Sequence, residues 1–246
     1  MAWVETEAHG FVARHDSDDP RSARKILDAL AAARPWIEEV LVRPAGDELT
    51  VVIHGSGFAL NLAEPVLPVI RALTAPAGRR YQAGWIGAGE MHVLAPRVLA
   101  RRASKVPGSR DMLMLVPAAL YARLAIGTAN PRLAPPFTPA TTIRYLRWAW
   151  LVEGVAQWLS GQTAHARPAI TRRLREGGTP AFPPSLRDAA LLGGSVIDLL
   201  AREQGSSAVA RLVIKRHRAG AETALAESFD APLPDIERAW RASLSR

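Results

Sequence analysis

Between Met112 and Ala164 the chain carries the arginines 123, 132, 144 and 147, one acidic residue, Glu153, and no histidine. Much of this stretch is patterned as helix, over Pro117–Ile126 and Thr141–Ser160. At about 100° per residue, Trp148, Leu151, Val152, Val155 and Leu159 define one apolar face of the second helix. Glu153 sits at the edge of that face, where a partly exposed glutamate is the plain expectation. The pattern restricts chemistry as well as structure. A metal site on one helical turn needs imidazoles at i and i+4, the spacing that puts both rings on one face, and this stretch cannot supply them.

A chain of 246 residues with 48% hydrophobic and 22% charged residues can bury a sizeable core, as one large domain or two small ones. It contains no cysteine, which excludes disulfides and thiolate metal sites. The start, MAWVETEAHG, has neither the basic nor the apolar region of a secretory signal. No apolar run reaches the roughly 20 residues of a spanning helix, and the richest, residues 112–126, is interrupted by Pro117 and Arg123. A soluble cytoplasmic protein with no membrane contact is the expectation. The net charge is +8, and lysine occurs only at Lys25, Lys105 and Lys215, so this is an arginine-rich basic protein. The basic residues form no run of five or six, and their densest spots are 97–105 and 215–218. Scattered charge of this kind argues against a nucleic-acid patch.

The first 96 residues read as an α+β subdomain. Val4–His15 predicts a strand, Arg21–Val42 a helix kinked or split by Pro35, Leu49–His54 a strand, and Pro65–Leu73 a short helix. Tyr81–Ile86 and Glu90–Ala95 flank Gly87-Ala88-Gly89, a hairpin signal. Residues 97–246 read as a helical subdomain, with helices over 117–126, 141–160, 168–175, 184–204, 207–217, 221–229 and 234–244 and loops at 127–139 and 177–184. Gly193-Gly194-Ser195 falls inside a helical pattern and marks close helix packing rather than a nucleophile. The sequence contains neither a GxSxG elbow nor a GxxxxGK[ST] phosphate loop.

The segment Trp150–Gly161, WLVEGVAQWLSG, resembles the glutamate helix of the gluzincins, zinc metallopeptidases of the peptidase-MA branch, through Trp150, Leu151, Glu153, Gly154, Ala156, Trp158 and Gly161. Residues 84–87 and 89–96 resemble that branch's hairpin and edge strand, and residues 227–244 its closing helix. The resemblance implies a zincin-like α+β fold, a small N-terminal mixed sheet with helices followed by a helical C-terminal part, with a cleft between them. It implies zinc as cofactor and Glu153 as a relic zinc ligand. The HExxH helix, however, is missing. The matching segment, Leu115–Leu124, puts Ala119 and Arg123 at the histidine positions and Leu120 at the position of the glutamate that activates water. Helix 187–195, the counterpart of the one that carries an oxyanion-stabilising tyrosine in relatives, has no tyrosine.

The resemblance therefore implies a degenerate, catalytically inactive member without metal. Arg123 at a former histidine position is the candidate substitute for the metal charge, through a charge-assisted pair with Glu153. His92, Tyr121, Gln157 and His165 are the candidate cleft-lining residues. A peptide or protein is the expected ligand of the relic cleft, with Glu90–Ala95 open to strand addition. Two other readings stand beside it: a zinc hydrolase with an unconventional ligand set of Glu153, His92 and His165, and an arginine-rich nucleic-acid-binding protein.

Overall fold

The computed structural model describes residues 3–41, 49–87, 89–135 and 137–245. Strands β1 (Trp3–Ala8) and β2 (Phe11–Asp16) form an antiparallel hairpin, where the sequence pattern predicts one strand. The turn is His9-Gly10, with φ of 56° and 77°. Two positive φ values in a two-residue loop match the twist of the flanking strands, and glycine adopts one of them without steric cost.

Helix α1 (Pro20–Leu41) runs through Pro35 without being split there. Proline forfeits one backbone bond there, while Leu30 and Ile37 on either side are fully buried and hold the helix in place. Val42, the expected last residue of this helix, lies outside the described residues, as does Ala88 of the glycine turn. Next come β3 (Leu49–His54), α2 (Gly57–Ala63), α3 (Val66–Leu73), α4 (Pro76–Arg79), β4 (Gly84–Ile86) and β5 (Glu90–Leu94). Helix α2, not foreseen, starts at Ser56, whose hydroxyl accepts from the Ala59 amide at 3.1 Å.

The five strands form one mixed sheet in the order β1-β2-β3-β5-β4. β2, β3 and β5 run parallel, and β1 and β4 pair antiparallel to their neighbours. This corrects one expectation. The strand at 90–94 is not an edge: β3 and β4 pair with its two sides, so its backbone groups are engaged and it cannot accept an added chain.

The chain then becomes helical: α5 (Pro96–Arg102), α6 (Ser109–Met114), α7 (Val116–Ala129), α8 (Pro139–Leu159), α9 (Thr163–Arg175), α10 (Leu186–Gln204), α11 (Ser206–Ile214), α12 (Ala221–Phe229) and α13 (Leu233–Ser245). A capping box between Thr138 and Thr141 starts α8, and the helix breaks at Trp148 (φ −110°, ψ 15°). Helices α8 and α10 cross almost backbone to backbone. A Cβ on Gly154 would lie 2.5 Å from the Gly193 carbonyl oxygen, and one on Gly193 2.6 Å from that of Trp150. Beside this crossing Arg173 forks onto Asp188, Nε to Oδ1 at 2.5 Å and Nη2 to Oδ2 at 3.0 Å, with both residues buried. A single apolar core runs from Phe11 in the sheet through Trp150 in α8 to Trp240 in α13. Among the described residues no helix is long and apolar enough to cross a membrane.

Candidate functional site

The site lies where α7 and α8 pack against each other beside β4. Residues 119 and 123 are one helical turn apart on α7 and share a face, and Glu153 approaches that face from α8. The Arg123 guanidinium donates to Glu153 Oε2 in a short charge-assisted contact. Glu153 is only 2% exposed and the Arg123 side chain 12%. An ionised carboxylate at that depth requires a compensating charge, and Arg123 supplies it. The expectation of a partly exposed glutamate is therefore corrected: the break at Trp148 divides α8, and the half that carries Glu153 is buried on nearly every side.

The second carboxylate oxygen is also engaged. Tyr145 donates its hydroxyl to Glu153 Oε1 at 2.7 Å. The phenol comes from the same helix, eight residues earlier and on the far side of the break. Burial, then the Glu153 charge, push its pKa well above the usual range, so it stays a donor. Phe137 and Trp85 hold its ring edge-on, with centroids 5.3 and 6.4 Å away. Further along α8, Gln157 Oε1 accepts from the Gly194 amide of α10 at 3.0 Å.

Ala119, Leu120, Arg123, Glu153, Gln157 and Gln162 line a common cavity of about 10 Å³, room for one water at most. Both carboxylate oxygens carry donors and the adjoining space admits no substrate. As it stands, the arrangement clamps two helices together. It presents neither a nucleophile nor an open coordination position.

The other expected cleft residues lie elsewhere. Tyr121 is one residue along α7, so its hydroxyl goes to Glu38 of α1 at 2.7 Å and its ring packs edge-on against Phe11. His165, on α9, has a 41% exposed side chain 4.0 Å from Asp111. His92 lies on β5 in a separate cluster: its Nδ1 is 3.0 Å from His54 Nε2 and its Nε2 is 3.3 Å from Glu64 Oε1. Burial and the neighbouring His92 lower the His54 pKa to about 4, and burial lowers that of His92 as well. Neither histidine joins Glu153, which corrects the ligand set of Glu153, His92 and His165. Among the described residues no three His, Asp or Glu side chains converge so as to hold a metal ion.

The chain matches no known family model, curated protein or solved structure.

Three features escaped the sequence reading. Tyr145 had a weak signal, being the only tyrosine on the Glu153 helix. The pairing of Arg173 with Asp188, fifteen residues away, had none. His54 beside His92 follows from strand register, since Val52 pairs with His92 and His54 lies on the same face as Val52.

Proposed function

We propose that this chain is a metal-independent, non-catalytic protein related to the peptidase-MA-like (gluzincin) metallopeptidases, in which an arginine has taken the place of zinc. The observation that carries this reading is the Arg123–Glu153 contact. It joins the position expected for the second histidine to the position expected for the third zinc ligand, and a guanidinium there neutralises the carboxylate and fastens α7 to α8 as a metal would. The lining of one cavity by Ala119, Leu120, Arg123 and Glu153 supports the correspondence. The reading assigns the protein a binding or scaffolding role toward a peptide or protein. The cavity of about 10 Å³ and the interior position of β5 direct that contact to the outer surface.

The test is elemental mass spectrometry of the tag-free protein after zinc loading and dialysis. This reading expects zinc far below one equivalent. One tightly held equivalent, lost in Glu153→Gln, would overturn it in favour of a zinc hydrolase.

A further inference from the structure

Away from the Arg123–Glu153 clamp, three separate segments bring cationic side chains to one depression. Arg132 comes from the segment after α7, Arg144 and Arg147 from α8, and Lys215 and Arg216 from just beyond α11, with the His217 ring beside them. Among the described residues no acidic residue lines it. Arg218 adds a further cation in the adjoining depression, which shares Lys215, Arg216 and His217.

Elsewhere on the surface many arginines are matched with carboxylates: Arg14 with Glu5 and Glu90, Arg202 with Asp198, Arg238 with Asp235. In the depression only Lys215 has one, Glu227 at 2.6 Å. Among the described residues no ion pair or hydrogen bond engages the side chains of Arg132, Arg144, Arg147 or Arg216. Two cations at the end of α11 suit the helix dipole.

The floor is fixed. Trp148, at the break in α8, stacks on the His217 ring with centroids 5.4 Å apart. His217 Nε2 donates to the Leu212 carbonyl at 2.7 Å, which can only accept, and this bond fixes the ring in the floor. Asn130 Nδ2 donates to the Val213 carbonyl at 2.8 Å and ties the first segment to the third. Unpaired like charges converging on a rigid concavity destabilise the empty protein and favour an anion.

We propose that this depression binds a small ligand bearing two or more phosphoryl groups. Planar guanidinium forks match phosphoryl oxygens in pairs. The volume of about 180 Å³ is below the roughly 300 Å³ at which pockets begin to take drug-sized ligands, and suits a diphosphate or triphosphate moiety. Charge gathered in one concavity, rather than along an extended track, favours such a ligand over a nucleic acid.

The probe is inorganic pyrophosphate, followed by calorimetry and thermal unfolding near physiological salt. At a hundredfold excess over Kd the unfolding midpoint rises by about 5 °C or more. Arg144→Ala and Arg147→Ala each weaken binding by about tenfold, while Arg238→Ala, a paired surface arginine, leaves it unchanged. Both depression variants unfold, without ligand, at or above the wild-type temperature because repulsion is relieved. Absence of binding at millimolar pyrophosphate would overturn the proposal, as would binding indifferent to Arg144 and Arg147. An oligonucleotide that binds through these arginines and is not displaced by pyrophosphate would assign the surface to nucleic acid instead. The outcome is independent of whether zinc binds near Glu153.

Discussion

Replacing Arg123 with methionine keeps most of the buried volume and removes the charge. Glu153, 2% exposed, would then keep only the Tyr145 hydroxyl as a partner. Breaking a buried pair by deleting one member costs about 3–5 kcal/mol, because the remaining charge stays desolvated. For a chain of this length that corresponds to a fall in Tm of very roughly 6–20 °C. Arg123→Met with Glu153→Gln removes both charges and leaves an amide oxygen for Tyr145, so the double variant should lie within about 1.5 kcal/mol of wild type. Urea unfolding of wild type, both single variants and the double variant gives the coupling energy directly. A value of about 2 kcal/mol or more is expected. Additive single effects, with coupling below about 0.5 kcal/mol, would refute the clamp.

Two further outcomes follow from the packing. Gly154→Ala places a methyl 2.5 Å from the Gly193 carbonyl oxygen, forces α8 and α10 apart, and should cost about 3 kcal/mol in chemical unfolding. His54, with its pKa lowered to about 4 by burial and by His92, which itself faces Glu64 and Glu90, refuses a proton that the unfolded chain accepts near pH 6.5. Its contribution to stability is thus complete above that pH and is lost as pH falls toward about 4. Urea midpoints compared at pH 7 and 5 should fall less in His54→Gln than in wild type, and equal falls would contradict this.

The parts of the molecule set by local pattern were legible. The helices after residue 138 recur at helical spacing, and Gly193-Gly194 inside such a pattern marked close helix packing, which is the crossing of α8 and α10. The pairing of Arg123 with Glu153 was legible for a different reason: the resemblance of Trp150–Gly161 to a metallopeptidase glutamate helix put Arg123 at a histidine position facing it. Partnerships between distant segments were not legible. Within residues 4–15 a lone Gly10 is a weak turn signal, and the positive φ values at His9 and Gly10 disclose the hairpin. Strand order is set by which faces bury together, and nothing local placed β5 between β3 and β4. Burial of Glu153 depends on the break at Trp148 and on helices brought in from far along the chain.

The central claim, that Arg123 stands where a metal ligand would, is tested most directly by restoring the ligands. Ala119→His, Leu120→Glu and Arg123→His, made together, would complete a two-histidine, one-glutamate set with Glu153. Zinc content measured by elemental mass spectrometry, on variant and wild type side by side, should give about one equivalent in the folded variant and far less in wild type. A variant that folds, by circular dichroism, and binds no zinc, or a wild type that already holds an equivalent, would contradict the account.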